Sequence, residues 1–286
     1  MVVSACLARL KILGCGVALG WSAIACAPAL SSFTPAHVPA KHHVQAEAGF
    51  DISVPSNIGD LIDDGVILAN GAKNRELTDE ERRRLFRDGA ALALNPPSPV
   101  THIGLGFVPV DRFEVNGRLT SGAWRLGGRY QFLDLVEHGI DGTLSLGGGR
   151  YSYELPLSAQ IPLLELSDFS RWQLDSSFLL GMHGNWYRWW AGPRALMSFY
   201  GAELTFKQPA AGGFPEEKVL ASLDGSATYL GGQLGAAVGY KKVFVGFELT
   251  LAKFWTSAEL QILDSKSDFD VDSFIVYPGI ALMLEL

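Results

Sequence analysis

From Ala227 to Trp255 the chain alternates, residue by residue, between two kinds of side chain. Leu230, Leu234, Ala236, Val238 and Tyr240 hold even positions, with Gly231, Gln233, Gly235, Ala237 and Gly239 between them. After Lys241 and Lys242 the odd positions take over: Val243, Val245, Phe247, Leu249, Leu251 and Trp255 are apolar, with Gly246, Glu248, Thr250 and Ala252 between them. A period of two is the period of a strand, and an apolar face of roughly ten residues is what a tilted strand needs to cross a bilayer. A soluble β-sandwich has inner faces of the same kind. The small or charged character of the other face, the aromatics at strand ends and the connections must decide between them.

The same rule recurs along most of the chain. Val44 to Val54 alternates strictly, and further segments follow at Ile103–Phe107, Phe113–Leu119, Trp124–Phe132, Ile140–Leu146, Trp172–His183, Tyr187–Phe206 and Phe274–Leu286. The connections 150–171, 207–225 and 256–272 read as long loops, with Trp186, Tyr187, Trp189 and Trp190 clustered at a tight turn. Between Pro55 and Pro97 the period changes. Asn57 and Asp60 suit the start of a helix that Asn70-Gly71 would stop, and Thr78-Asp79-Glu80-Glu81 is a capping box for a second helix. That second helix sets Leu85, Phe86, Ala90 and Leu92 apart from Arg82, Arg83, Arg84 and Arg87, which read as a solvated face or as an anion or lipid-headgroup contact. A helical insertion of this length inside a β pattern points to more than connection.

With 286 residues, 32 glycines and only 4 methionines, the composition suits one all-β domain with many turns. Arg9 and Lys11 precede an apolar run from Ile12 to Ala25, the pattern of a secretory signal peptide over 1–25. Removing those two cations moves the balance from 23 − 30 = −7 to 21 − 30 = −9, which argues against nucleic acid as a partner. Residues 26–43 read as a tether with a lipid anchor, 44–286 as a β-barrel, and 56–97 as an insertion within it. His37, His42 and His43 fall in or beside that tether and read as polar linker, so no metal site is expected.

Taken from Val44 to Leu286, the chain resembles the bacterial outer-membrane β-barrel class. Alternating segments, aromatics near their ends and a terminal strand that runs to the last residue carry the resemblance. Counting gives an antiparallel transmembrane barrel of about ten strands, with roughly 8–12 compatible, and the two-helix insertion after the first. Starting upward from the periplasm, the connections at 109–111, 133–138, 184–185 and 241–242 are short, and those containing Arg82, Pro156, Pro209 and Lys266 are long. Only the turn near Ser121-Gly122 breaks that parity. The resemblance implies location in the Gram-negative outer membrane with the N-terminus on the periplasmic side, outer-membrane lipid as a partner, and insertion by the cell's barrel-insertion machinery. Ala23-Ile24-Ala25-Cys26 likewise resembles a lipoprotein lipobox, implying acylation of Cys26; Ala25-Cys26-Ala27 also fits ordinary signal cleavage.

The polar face supplies the candidate site residues. Glu47, Asp51, Arg112, Glu114, Arg118, Arg125, Arg129, Asp141, Asp175, Arg188, Arg194 and Glu248 form an expected lumen charge network, either cross-strand ion pairs or an arginine-lined path. For catalysis, His102, His138 and His183 with Ser145 or Ser177 are the available side chains. No G-x-S-x-G, H-E-x-x-H or paired-cysteine motif accompanies them, and Gly147-Gly148-Gly149 opens no helix, so no catalytic role and no cofactor are expected. The expected function is structural or surface-interacting with a narrow pore, and the alternatives are a small-solute channel or, further off, a soluble β-sandwich lipoprotein.

Overall fold

The computed structural model describes residues 30–286 except 57, 121, 154–160, 162, 209–216 and 263–264. The signal segment and Cys26 lie outside the described residues. The elements in order are β1 (Val44–Ile52), β2 (Val54–Pro55), α1 (Ile58–Gly71), α2 (Asp79–Leu94), β3 (Pro99–Val110), β4 (Phe113–Thr120) and β5 (Ala123–Leu133). Then come α3 (Leu135–His138), β6 (Asp141–Tyr153), β7 (Leu164–His183), β8 (Tyr187–Gln208), β9 (Glu217–Tyr240), β10 (Val243–Ile262) and β11 (Ser265–Glu285).

Each strand pairs antiparallel with the next, and the first pairs with the last: Ala46↔Leu284, Ala48↔Leu282 and Phe50↔Ile280 join β1 to β11 and close the sheet into a ring. β2 continues β1 along the same partner through Val54↔Val276 and Pro55↔Ile275, so the 11 strand segments make ten staves. Closure leaves no edge along the stretch where β1 and β2 pair with β11, the condition for that part of the wall to sit in hydrocarbon.

The polarity of that wall is inside out. Phe50, Leu105, Leu119, Leu126, Leu146, Leu174, Phe199, Leu234, Phe247 and Leu282, one from each stave, point outward and are 47–64% exposed. No soluble monomer presents a continuous apolar belt of that kind to water. Trp124 and Trp172 meet edge to face at 6.2 Å, and Trp186 meets Tyr187 at 5.0 Å, placing aromatics toward the two ends of the staves. This is the architecture of a transmembrane β-barrel.

The segments read as long loops are mostly strand. β6 runs on to Tyr153, β7 starts at Leu164, β8 reaches Gln208, β9 starts at Glu217, and β10 and β11 continue to Ile262 and Ser265. The reason is a change of polarity along one ladder. On β9 the outward positions are Leu230 to Tyr240 below and Thr228, Ser226, Asp224 and Ser222 above, while the apolar residues Val219, Ala221, Leu223, Ala227 and Tyr229 turn inward. Above the belt the outer face meets water and no longer repeats the apolar signal, although the backbone pairing is unbroken. The wall is therefore low at β4, 8 residues long, and high at β7–β11, 20 to 24 residues each.

The insertion closes this high end. Thr78 and Glu81 form the reciprocal capping box that starts α2, and the helix buries Leu85, Phe86, Ala90, Leu92 and Leu94. These residues pack on the inward apolar face of the extended strands, with Leu204, Phe206, Val219, Leu223, Phe254 and Phe269 in one cluster. Gly89 lets α2 approach the wall, since a Cβ there would stand 2.1 Å from Leu164 Cδ2. The arginine run splits among partners: Arg82 pairs with Glu76 at 2.7 Å, Arg84 with Asp64, and Arg87 donates to the Asp270 carbonyl at 3.0 Å.

Candidate functional site

The site defined by this architecture is the lumen, and its centre is occupied by the chain's own N-terminal segment. Residues read as a tether run inside the barrel: Leu30, Ser31, Phe33 and Ala36 are each at most 2% exposed. The physical reason is that a ring of inward charges needs partners, and an extended backbone supplies N–H donors and carbonyl acceptors along its whole length.

Glu248 accepts from the backbone N–H groups of Ser32 at 2.6 Å and Phe33 at 3.0 Å, and from the Trp190 indole at 2.9 Å. Trp190 has room because Gly235 lies opposite; a Cβ on Gly235 would come within 2.1 Å of the indole. Arg118 binds Glu47 at 2.8 Å and donates to the Ser31 carbonyl, while Ser31 Oγ donates to Asp51 at 2.6 Å and His102 Nδ1 lies 3.1 Å from Asp51. Across the middle, Arg125 makes a two-pronged bond with Asp175 at 2.7 and 2.8 Å, and Arg194 approaches the same carboxylate at 3.6 Å. The guanidinium of Arg125 rests against Gly147, where a Cβ would be 2.3 Å from Nη2. The glycine triplet thus makes room for a charge.

Toward the end with the tight turns, Arg129 bridges Glu114 at 2.6 Å, Gln45 at 2.6 Å and the Pro35 carbonyl at 2.5 Å. Val38 donates to Gln131, which donates on to Asp141 at 2.9 Å. Asp141 also meets His183 at 2.6 Å, and His183 stacks on His37 with ring centroids 4.5 Å apart. His37 reaches Glu285 at 3.2 Å, and Arg188 pairs with that same carboxylate. A smaller apolar cluster of Phe33, Ala36, Leu179, Trp190, Phe244 and Met283 packs around the segment. The space left beside it, next to Glu47, Arg118, Arg125 and Asp175, is about 50 Å³, enough for a few waters.

The structure brings together Glu47, Asp51, Glu114, Arg118, Arg125, Arg129, Asp141, Asp175, Arg188, Arg194 and Glu248 on the inner face. Arg112 is different. It occupies the turn between β3 and β4 with φ 65°, pairs with Glu137 at 2.9 Å and stays out of the lumen, because β3 ends at Val110 and β4 starts at Phe113. Ser145 and Ser177 face each other across β6 and β7, His102 and His183 each face an aspartate, and His138 sits in α3, so these residues form no triad. Of His37, His42 and His43, read as polar linker, His37 is drawn inside to Glu285, while His42 lies exposed outside.

Sequence reading missed Ser31, Ser32, His37, Arg171 and Glu285. Arg171 shares the parity of Asp175 and Ser177 and donates to the Leu94 carbonyl at 3.2 Å, tying the end of α2 to the wall. Extending the β7 alternation past Trp172 would have found it. No sequence signal marks residues 30–38, since an extended segment held by backbone groups needs no pattern of its own.

No family model and no curated relative matches the chain. Among solved structures it is similar to Neisserial surface protein A, at 11% identity and TM-score 0.31, covering 84% of this chain and 94% of that one. It is similar to Ail, the attachment invasion locus protein of Yersinia pestis, at 10% identity and TM-score 0.30, covering 86% and 100%. It is also similar to the monoaromatic hydrocarbon channel CymD, at 10% identity and TM-score 0.26, covering 86% and 89%. All three are bacterial β-barrel proteins. Likeness at TM-scores of 0.31 and below carries no argument about role, so the fold rests on this chain's own closed ladder and inside-out polarity.

Proposed function

We propose that the chain is a closed β-barrel of the Gram-negative outer membrane whose work is surface interaction at its tall, helix-capped end. The observation that carries this reading is the filled lumen: residues 30–38 and their ion pairs occupy the barrel, the α1–α2 core covers one end, and a cavity of about 50 Å³ remains. Such a space passes no hydrated solute. The apolar belt calls for lipid as the surrounding partner, and insertion by the cell's barrel-insertion machinery follows from that location. The short turns then face the periplasm and the long strands the exterior. Catalysis forms no part of the reading, because the histidines are committed to carboxylates and the two serines only to each other's face.

Conductance of the purified protein in planar bilayers tests it. The full chain should be electrically silent, and deleting residues 58–94 alone should leave it silent, because segment 30–38 still fills the lower lumen. A steady conductance from the intact chain would favour the small-solute channel instead. Membrane fractionation and heat-modifiable migration on gels test the location; recovery as a soluble periplasmic protein would end the barrel reading.

A further inference from the structure

The tall wall above the apolar belt is a sheet with an open side. β1 and β2 accompany β11 only as far as Pro55↔Ile275, and the last contact is the Ser56 N–H on the Phe274 carbonyl at 2.8 Å. Pro55 stands opposite Ile275, where no hydrogen bond to β11 is made, and beyond Ser56 the chain turns away into α1. β11 continues to Ser265, paired on its β10 side throughout, with no strand on its other side among the described residues.

Hydrogen-bond phase shows which groups face that side. Leu286 and Val44 exchange both backbone bonds, so the even residues of β11 turn N–H and C=O toward the β1 side. Beyond Phe274 these are Asp272, Asp270, Asp268 and Lys266, and Arg87 already fills one of the positions by donating to the Asp270 carbonyl at 3.0 Å. Across the gap stands α2. The groove between them is about 580 Å³, walled by Leu61, Arg83, Arg87 and Ala91 on the helical side and by Asp268 and Asp270 on the strand. The aspartates project outward at alternate positions; Asp272 has Lys253 at 3.5 Å, whereas Asp268 and Asp270 have no side-chain ion pair among the described residues.

We propose that this edge is a docking strip for an extended segment of a protein outside the cell, which adds as a strand beside β11 and carries Lys or Arg at every second position. Backbone pairing supplies the binding energy, and basic side chains directly opposite Asp268, Asp270 and Asp272 supply the selection. A second copy of this chain does not fit, because antiparallel pairing of the same edge sets three aspartates against three. Edges left bare are aggregation sites, and this charge pattern excludes self-pairing while leaving a basic strand welcome. The proposal deepens the surface-interaction reading and rests on it for the side of the membrane, but not for the binding itself.

Fluorescence anisotropy on the full chain in detergent micelles tests it, with heat-modifiability verified in the same preparation. The probes are a labelled alternating Lys-Thr octapeptide, the same peptide N-methylated at alternate residues, and a Glu-Thr octapeptide. The Lys-Thr peptide should bind at least about tenfold more tightly than either control, a tenfold ratio being about 1.4 kcal/mol. The double substitution Asp268→Lys/Asp272→Lys should reverse the preference toward the Glu-Thr peptide, and Asp270→Pro, which deletes an edge donor while sparing the β10 side, should weaken binding. Equal binding of the N-methylated peptide, no binding at all, or indifference to the charge reversal would overturn the proposal in a heat-modifiable preparation. Loss of heat-modifiability would instead count against the barrel reading.

Discussion

The backbone N–H of Phe33 donates to the Glu248 carboxylate at 3.0 Å, joining the start of the described chain to the inner face of β10. One acidic side chain thereby holds two backbone donors of the inserted segment and one indole. Replacing Glu248 by Gln keeps the shape and removes the charge that makes those bonds strong. The expected loss is on the order of 1.5–3 kcal/mol. Amide exchange at Ser32 and Phe33 should quicken and brief conductance events should appear; unchanged exchange would show that the segment is held elsewhere.

The hairpin β9–β10 offers a test of facing. Leu249 points outward, and Thr250 points inward with its Oγ1 on the Leu30 carbonyl at 3.3 Å. Leu249→Arg should cost about 2–4 kcal/mol in folding titrations in lipid vesicles, because hydrocarbon offers the guanidinium no partner. Thr250→Arg should act by a different route, expelling residues 30–38 because the lumen has no free volume for it. Single cysteines should report the same geometry, with Leu249→Cys reacting with a lipid-soluble label.

Asp88 on α2 is buried without a hydrogen-bond partner for one oxygen, and burial first, then the nearby Asp64, pushes its carboxyl up to about 6. A carboxyl raised on folding contributes stability that is complete below its unfolded value near 4 and is lost as pH rises through about 6. Docking of α2 should accordingly be firmer at pH 4 than at pH 7.5. Asp88→Asn should remove that dependence and gain on the order of 1–2 kcal/mol at neutral pH, read as slower exchange of α2 amides.

The lumenal segment also bears on the lipid anchor. Thr250, level with Leu30, lies seven positions up β10 from Val243, or about 18 Å above the turn end for a tilted strand. The four residues from Cys26 to Leu30 span at most about 14 Å, so a lipid on Cys26 in the periplasmic leaflet and an inserted segment exclude each other. Cys26→Ala should abolish any acyl labelling and, where the wild type is labelled, raise the exchange protection of Ser32 and Phe33. Acyl labelling of a wild-type protein that already protects Ser32 and Phe33 would show that the two coexist.

Inside the apolar belt the sequence determined almost everything about the wall. Leu230 to Tyr240 and Val243 to Leu251 alternate because one face must meet hydrocarbon, and that demand is local to each strand, so the facing of Glu248, Arg118 and Asp175 was legible residue by residue. The capping box at Thr78 and Glu81 was legible for the same reason, since its partners are three positions apart. The strand extensions were not. Above the belt Tyr229, Phe254 and Phe269 turn inward toward α2, and only the presence of that helix makes their inward face the dry one. Nor was the filled lumen legible. Ser31, Ser32 and Pro35 bind Arg118, Glu248 and Arg129 through backbone groups common to every residue type. The sequence carried the demand of a ring of inward charges for partners, and tertiary structure alone decided that the chain's own N-terminal segment would meet it.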